Sequence, residues 1–388
     1  MPGTGSSESK SNQMTDNLLI VADSDRDANM LYAVGMFVPD PFIYLRLRGK
    51  CHIVMNDLEM DRARKQAPHC KMISWSQCAR QLGRNGEKKI SVARMIQFIL
   101  RQRKIKKVIV PASFPLGLAE QLRRLKVKVK SKRGEFFPER ARKSAEEVKK
   151  ISAALMMAEV GLAEGIQALK NAKVGPSRKL IYRNNSLTSE KLRAIIDTAI
   201  LQAGGVANHT IVAGGDQACD PHECGHGVLR AREPIVIDVF PRSQKTGYFG
   251  DITRTVVKGR ASEAVRKLYA TVERGQEVGF AALRHRAATA DIHAQVQQIF
   301  TDEGYKTGRH NGRMQGFFHG TGHGVGMELH EGPRVGPNSK DQLLAGHVVT
   351  VEPGLYYPGV GGVRLEDMAL VTTNGPRNLT KFEKVLEV

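Results

Sequence analysis

Long apolar runs and ordered sets of cysteines are both missing from this chain of 388 residues. No apolar stretch approaches the roughly 20 consecutive residues of a membrane-spanning helix, so we expect no membrane association. The polar N-terminal residues contain no apolar segment of the kind found in secretory signals. Five scattered cysteines in a chain of this length are typical of a reduced, cytoplasmic protein rather than of a disulfide framework.

Acidic residues are also in deficit, with 39 Asp and Glu against 59 Lys and Arg and a formal net charge of +20. Residues 101–150 hold 17 of the basic and 5 of the acidic residues. Such a segment can bind nucleic acid, but it lacks the aromatic signature of an RNA-recognition motif and zinc-finger spacing. Lysines and valines alternate over residues 126–130, which is typical of a half-exposed strand. We interpret the segment as a solvated basic face, with nucleic acid kept as an alternative partner.

Pattern and composition divide the chain into two folded parts. We expect residues 1–15 to form a disordered tail and residues 16–133, where short apolar runs alternate with amphipathic stretches, to form a small α/β domain. Residues 134–143 are predicted to be a linker. Residues 144–388 mix helices and antiparallel-looking strands without a regular βαβ repeat, which favours an α+β domain.

Periodicity predicts the main elements of both parts. Ser144 and Glu147 form a sequence pattern typical of a capping box at the start of a long amphipathic helix. The other predicted helices cover residues 92–100, 188–203, 262–284 and 289–303, and the predicted strands include 18–22, 108–110, 348–357 and 362–371.

Four carboxylates and one imidazole on strand-like segments of the second part are the candidate metal ligands: Asp238, Asp251, His323, Glu352 and Glu366. Taken alone, Asp238 also fits a salt bridge with an arginine at a strand end, and Asp251 also fits a turn or a helix cap. Together they are costly to bury unless paired or metal-bound, and their four negative charges match two divalent cations. An oxygen-rich ligand set with one imidazole favours Mn²⁺, with Co²⁺, Zn²⁺ and Fe²⁺ as alternatives. Paired cations of this kind activate water for hydrolysis.

Further polar residues surround these candidates in the sequence. His319 lies among the same glycines as His323, and glycine lets the backbone approach closely. Three imidazoles that are not candidate ligands are available to stabilise a polarised carbonyl or the substrate: His222, His319 and His330. Arg364 is two residues before Glu366, on the same face of a predicted strand, where it can hold a ligating carboxylate.

These segments resemble the pita-bread metallopeptidases, specifically the branch of Xaa-Pro aminopeptidases and Xaa-Pro dipeptidases (prolidases). The resemblance covers about residue 140 to the C-terminus and rests on Asp238 followed by GYFGDITRT, HGTGHGVGMELHEGP, VTVEPGLYY and GGVRLEDMALVT. The first part is more loosely similar to the creatinase-like N-terminal domain of that family. The resemblance implies an α+β fold, with a pita-bread catalytic domain preceded by a smaller creatinase-like α/β domain, and a homodimer.

The resemblance also implies a role for each candidate ligand. Asp251 and Glu366 are expected to bridge two metal ions, Asp238 to bind one of them, and His323 and Glu352 to bind the other. Glu352 is further implied to move a proton from water to the leaving proline nitrogen.

By the same resemblance, His222 and His330 contact the substrate carbonyl and the tetrahedral intermediate, and His319 lies beside the pocket for proline. The implied activity is metal-dependent hydrolysis of Xaa-Pro bonds in proline-containing peptides, which releases the N-terminal residue. One alternative is a catalytically inactive pita-bread protein that binds a partner or nucleic acid. A creatinase-like amidinohydrolase is a third possibility, against which the complete ligand set counts.

The chain departs from the family pattern around the first two carboxylates. Phe240 stands where the family usually has glycine, and Gly250 stands where it often has serine. Asp238 and Asp251 are thirteen residues apart, which is wider than usual. We expect a longer hairpin to absorb the extra residues without moving either carboxylate.

Overall fold

The computed structural model describes residues 16–84 and 89–388. The predicted disordered tail, residues 1–15, lies outside the described residues. The chain divides into two compact units. The boundary in the sequence falls between Pro138 and Glu139, inside the predicted linker 134–143. None of the described helices combines the length and the apolar character that crossing a membrane requires.

The N-terminal unit is an α/β domain. In chain order its elements are β1 (Leu18–Ala22), α1 (Ala28–Val34), β2 (Phe42–Leu47), β3 (Lys50–Met55), α2 (Met60–Gln66), β4 (Lys71–Ser74), α3 (Trp75–Arg84), α4 (Val92–Gln102), β5 (Lys107–Val110), α5 (Leu116–Arg124) and β6 (Lys128–Ser131).

Its six strands form one sheet in the order β4-β3-β2-β1-β5-β6. Successive side chains of a strand point to opposite faces of the sheet. In β1, Leu19 therefore packs into one apolar core, and Leu18 and Ile20 pack into another on the opposite face. The strand at 18–22 and the helix that begins at Val92 confirm the sequence predictions.

The C-terminal unit combines long helices with several small sheets. Its elements are α6 (Ala145–Asn171), β7 (Lys173–Val174), β8 (Leu180–Tyr182), β9 (Asn185–Ser186), α7 (Ser189–Gln202), β10 (Gly205–Val206), β11 (Ile211–Gly214), β12 (Pro234–Val239), β13 (Arg242–Ser243), β14 (Ile252–Val257), α8 (Glu263–Ala282), α9 (Thr289–Asp302), β15 (Gly308–His310), β16 (Arg313–Gln315), β17 (Gly322–Gly324), β18 (Glu331–Val335), β19 (Val348–Val351), β20 (Gly354–Tyr357), β21 (Gly361–Arg364), β22 (Asp367–Thr372) and β23 (Gly375–Asn378). Short 3-10 helices cover Pro138–Ala141, Pro176–Arg178 and Gly215–Cys219.

The capping box at the start of α6 is confirmed. The Ser144 hydroxyl accepts a hydrogen bond from the Glu147 N–H at 3.3 Å, and the Glu147 carboxylate accepts one from the Ser144 N–H at 2.9 Å. Two N–H groups that the helix cannot satisfy are thereby paired. Further along, Gly161 and Gly165 allow α6 to lie against Ile200 and Ile196 of α7, because a Cβ at either glycine would come within 2.8 Å of an isoleucine side chain.

Two sheets bring together the parts of the chain that carry the candidate ligands. In the first, β12 lies between β11 and β14, and Asp238 pairs with Thr253 in the antiparallel register. The second has the strand order β18-β17-β19-β22-β23, so that β17 lies beside β19, and β19 beside β22.

Two predicted strands are each broken in the structure, which corrects the sequence analysis. The run 348–357 divides into β19 and β20, and the run 362–371 divides into β21 and β22. Pro353 has no N–H to donate to a ladder, and the N–H groups of Glu352 and Glu366 instead donate to Thr321 and Thr253 carbonyls. Glu366 therefore does not share a strand with Arg364, and both glutamates lie at breaks.

Gly250 should be intolerant of a side chain, since a Cβ there would lie 2.3 Å from Leu155 N and 2.5 Å from Ala154 C in the backbone of α6. We expect Gly250→Ala to lower the free energy of unfolding by at least about 2 kcal/mol, measured by urea denaturation followed by circular dichroism. Gly117→Ala is the control, because a Cβ added at that helical glycine would meet no atom within 4 Å beyond its chain neighbours and its own helix backbone. An unchanged urea midpoint for Gly250→Ala would contradict this packing.

Candidate metal centre

The five candidate ligands come from five separate segments of the C-terminal unit, and the fold brings all of them to one cavity of about 560 Å³. Each lies within or beside a strand: Asp238 in β12, Asp251 just before β14, His323 in β17, Glu352 just after β19, and Glu366 between β21 and β22. All of them except the partly exposed Glu352 are buried.

Short distances join the acidic and imidazole groups. His323 Nε2 lies 3.2 Å from Glu352 Oε1 and 3.7 Å from Asp251 Oδ2. One potential ligand atom from each of Asp251, His323 and Glu366 falls within 4.8 Å of the others. This spacing suits a shared cation better than a set of independent salt bridges.

Two carboxylates each keep one oxygen without a protein partner. Asp238 Oδ2 accepts a hydrogen bond from Arg364 Nη2 at 2.7 Å, and Glu366 Oε2 accepts one from Thr253 Oγ1 at 2.8 Å. Within the described part of the chain, Asp238 Oδ1 and Glu366 Oε1 are buried and have no hydrogen-bond partner. Buried polar atoms are nearly always paired, so these two oxygens fit a divalent cation as the missing partner.

The electrostatics of the cluster also favour added positive charge. Burial, reinforced by the charge of Asp238, raises the pKa of Asp251 well above its usual value. Burial and the charge of Asp251 do the same to the pKa of Glu366. Burial opposes the charged forms of His323 and Glu352, yet their mutual hydrogen bond and attraction raise the pKa of His323 to about 9 and lower that of Glu352 to about 2. Buried like charges at this separation repel one another unless a cation neutralises them.

Three further histidines line the same cavity. The ring of His330 packs edge-to-face on that of His323, with 4.4 Å between centroids. His319 is hydrogen-bonded through Nε2 to the Tyr356 hydroxyl at 2.8 Å, and burial lowers its pKa to about 4. His222 is exposed at the cavity rim. The structure therefore gathers every site residue that the sequence singled out.

Arg364 is buried and holds more than one partner. Besides Asp238, it donates to the Tyr356 hydroxyl at 3.1 Å through Nη1. Tyr356 consequently connects Arg364 to His319 in one buried network. Such outer contacts fix the orientation of ligating groups.

Several residues that support the site are absent from the sequence predictions. Thr350 accepts a hydrogen bond from the His323 N–H and donates to Glu352 Oε1 at 3.3 Å. Thr253 holds Glu366, as described above. Thr350 is two residues from Glu352, and Thr253 is two residues from Asp251. Residues two apart in a strand point to the same face, so this spacing could have indicated the two threonines from the sequence.

Two buried ionic contacts hold the backbone on either side of the site. Arg254 donates to the carbonyl of Glu366 and to Asp367 Oδ1, both at 2.7 Å, which fixes the break between β21 and β22. Glu331 is bound by Arg140 and Lys143, each at 2.5 Å, and this anchors the segment that carries His330. Both contacts join residues far apart in sequence, which no local pattern reveals.

Solved structures define the class of protein to which this fold belongs. The chain superimposes on an Xaa-Pro dipeptidase from Bacillus anthracis with a TM-score of 0.80 and 21% identity, covering 96% of this chain and 95% of that one. It superimposes on the prolidase from Pyrococcus horikoshii with a TM-score of 0.77 and 25% identity, covering 98% and 97%. The predicted fold, an α+β pita-bread domain after a smaller α/β domain, is confirmed.

Sequence comparison identifies the family. A model of metallopeptidase family M24 matches residues 149–373, and the chain belongs to this family. The Xaa-Pro dipeptidase of Pyrococcus horikoshii is 30% identical over 298 residues, which are 76% of this chain and 78% of that protein. The Xaa-Pro dipeptidase of Pyrococcus furiosus is 33% identical over 178 residues, 46% of this chain and 48% of that protein.

Replacement of Tyr356 by Phe tests the buried network. The change removes one hydrogen bond from each of Arg364 and His319, so we expect the free energy of unfolding to fall by about 1–3 kcal/mol in urea titrations. Tyr357→Phe is a matched control, because the neighbouring hydroxyl donates only to the exposed carbonyl of Lys306. Equal losses in the two variants would contradict a special role for Tyr356.

Proposed function

We propose that this protein hydrolyses Xaa-Pro peptide bonds with the help of two divalent cations and releases the N-terminal residue. The observation that carries the proposal is the convergence of four carboxylates and one imidazole in one cavity, with two carboxylate oxygens left unpaired. The names of the relatives, Xaa-Pro dipeptidases among them, support the choice of bond.

The donor set indicates which residues would hold the cations and which metal they favour. Asp238, Asp251, His323, Glu352 and Glu366 would be the ligands, as the family resemblance implies. A set dominated by carboxylate oxygens favours Mn²⁺, with Co²⁺, Zn²⁺ or Fe²⁺ as alternatives. When bound, the ions supply Lewis acidity and lower the pKa of water at the site.

Glu352 is the residue of this chain best placed to move the proton. Its hydrogen bond with His323 and the low pKa that this produces keep the carboxylate ionised before reaction. It would accept a proton from the attacking water and donate it to the proline nitrogen as the C–N bond breaks. General acid–base catalysis requires a group within hydrogen-bond reach of both atoms.

The histidines would bind and orient the substrate. His222 and His330 line the cavity beside the candidate ligands and would donate hydrogen bonds to the carbonyl oxygen as negative charge develops on it. His319 lies next to Phe318 and Tyr356, with ring centroids 6.4 and 5.4 Å away. This aromatic wall suits the ring of a proline residue on the leaving side.

A dedicated site for this bond has a chemical reason. The Xaa-Pro bond is a tertiary amide without an N–H, and the residue before proline is conformationally restricted. Peptidases that bind the N–H of the scissile bond therefore bind it poorly.

Dipeptidase and aminopeptidase activity differ in the substrate length that the site accepts. The homodimer and the cytoplasmic location stay predictions.

Activity should depend on both proline and metal. We expect the purified protein with added Mn²⁺ to cleave Xaa-Pro and Xaa-Pro-Yaa peptides, compared by chromatography, but not the matching Xaa-Ala peptides. Chelation should abolish cleavage, and Mn²⁺ should restore it. A metal-loaded protein that leaves all Xaa-Pro peptides intact while binding a labelled oligonucleotide would instead support the inactive, nucleic-acid-binding alternative.

Glu352→Gln separates proton transfer from folding. We expect kcat to fall by about 10²–10⁴-fold, the usual contribution of a general acid–base, in steady-state assays at saturating Mn²⁺. The largely exposed Glu263, at the start of α8, provides the control Glu263→Gln, which should retain wild-type activity. A Glu352→Gln variant with wild-type kcat would remove Glu352 from the mechanism.

A further inference from the structure

Two cysteines of the N-terminal unit occupy neighbouring positions in its sheet. Strands β3 and β4 are parallel, and His52 pairs with Lys71. Cys51 and Cys70 immediately precede these two residues, so they lie side by side one position earlier. Neighbouring strands are about 4.7–4.9 Å apart, which falls in the range of Cα separations that a disulfide spans, about 4.4–6.8 Å.

The two thiols interact with each other. A side-chain hydrogen bond joins Cys51 and Cys70, although they are not bonded covalently. Cys70 is buried, whereas Cys51 is half-buried and open to a small reagent. Tyr44 belongs to the neighbouring strand β2, and its hydroxyl lies 3.2 Å from Cys51 Sγ. Cys51 thus has two hydrogen-bond partners, one of them a second thiol.

The surroundings of Cys51 stabilise its thiolate. The hydrogen bond from Cys70, followed by that from Tyr44 and the electrostatic influence of the His69 and Arg46 side chains, outweighs partial burial and lowers the pKa of Cys51 to about 5. The same contact and burial raise the pKa of Cys70. A reactive thiolate beside a protonated second thiol is typical of redox-sensitive pairs.

We propose that Cys51 and Cys70 form a peroxide-sensitive thiol pair that closes reversibly into a disulfide between β3 and β4. The Cys51 thiolate attacks one oxygen of hydrogen peroxide, the O–O bond breaks, and Cys51 sulfenic acid and hydroxide form. The Cys70 thiol then attacks the sulfenic sulfur, the S–O bond breaks, and water leaves as the disulfide forms. Cys51 and Cys70 are each oxidised by one electron, and the peroxide is reduced by two. A thiol reductant reverses the reaction.

Cys78 and Cys219 lack the stabilised thiolate that Cys51 has. Burial raises the pKa of Cys78 in α3, and burial raises that of Cys219 to about 12. Cys78 belongs to the same unit and is half-buried like Cys51. It therefore serves as an internal reference for reactivity that exposure alone produces.

Peptide mapping of the full chain tests the pair. The reduced protein is treated with hydrogen peroxide, blocked with N-ethylmaleimide and cleaved with trypsin, which places Cys51 in peptide 51–62, Cys70 in 66–71 and Cys78 in 72–80. We expect a linked species of 51–62 with 66–71, about 2 Da lighter than the two peptides together and lost on reduction. The Cys78 peptide should remain alkylated at the same peroxide concentration.

Variants assign the two roles. In Cys70→Ser the linked species should vanish and Cys51 sulfenic acid should be trapped by dimedone, whereas Cys51→Ser should leave Cys70 unoxidised. Tyr44→Phe should slow maleimide labelling of Cys51 several-fold without slowing that of Cys78. Cys78→Ser should behave as the wild type.

Three results would overturn the proposal. These are oxidation of Cys51 no faster than that of Cys78, a linked species whose yield rises with protein concentration and is therefore intermolecular, and oxidation of Cys51 only to single-residue products. Since no step uses peptidase activity, loss of that activity has no bearing on the outcome.

Discussion

The C-terminal unit is organised around the confinement of negative charge. Four carboxylates converge in one cavity, three of them buried, and at low dielectric such a set is unfavourable without compensation. The protein supplies part of that compensation through Arg364 and His323. It leaves oxygens of Asp238 and Glu366 without partners. The remaining positive charge has to come from outside the chain, which is the physical basis for a metal-dependent enzyme.

The surrounding structure serves to hold these charges in place. Strand breaks at Glu352 and Glu366 divert their backbone N–H groups from the regular ladder, and hydrogen bonds from threonines orient their carboxylates. Outside the ligands, Arg254 holds the backbone at Glu366, and the ion pairs of Glu331 hold the segment that carries His330. The fold leaves no room for an added side chain where the backbone of Gly250 packs against α6. A serine side chain would not fit at this point without a shift of the helix.

The N-terminal unit is stabilised mainly by apolar packing rather than organised around buried charge. Its sheet is packed on both faces by apolar clusters, and the proposed redox pair is formed by two cysteines of this unit rather than by carboxylates. The lysines of β6 occupy an edge of the sheet, where charge discourages pairing with another strand. This accounts for part of the basic segment 101–150 without a nucleic-acid partner.

The linear sequence was sufficient for the elements with strong periodicity and for the ligand types. Helices such as α6 and α9 and the capping box at Ser144 follow from local patterns, and the five candidate ligands from motifs rich in glycine and carboxylate. The breaks at Glu352 and Glu366 were missed, because an apolar run shows no sign of where a ladder hydrogen bond is diverted to a distant carbonyl. The roles of Tyr356 and Arg254, and the contact between Cys51 and Cys70, were decided only by tertiary structure. Each depends on residues from separate strands becoming neighbours, and that proximity is a property of the folded chain rather than of any local segment.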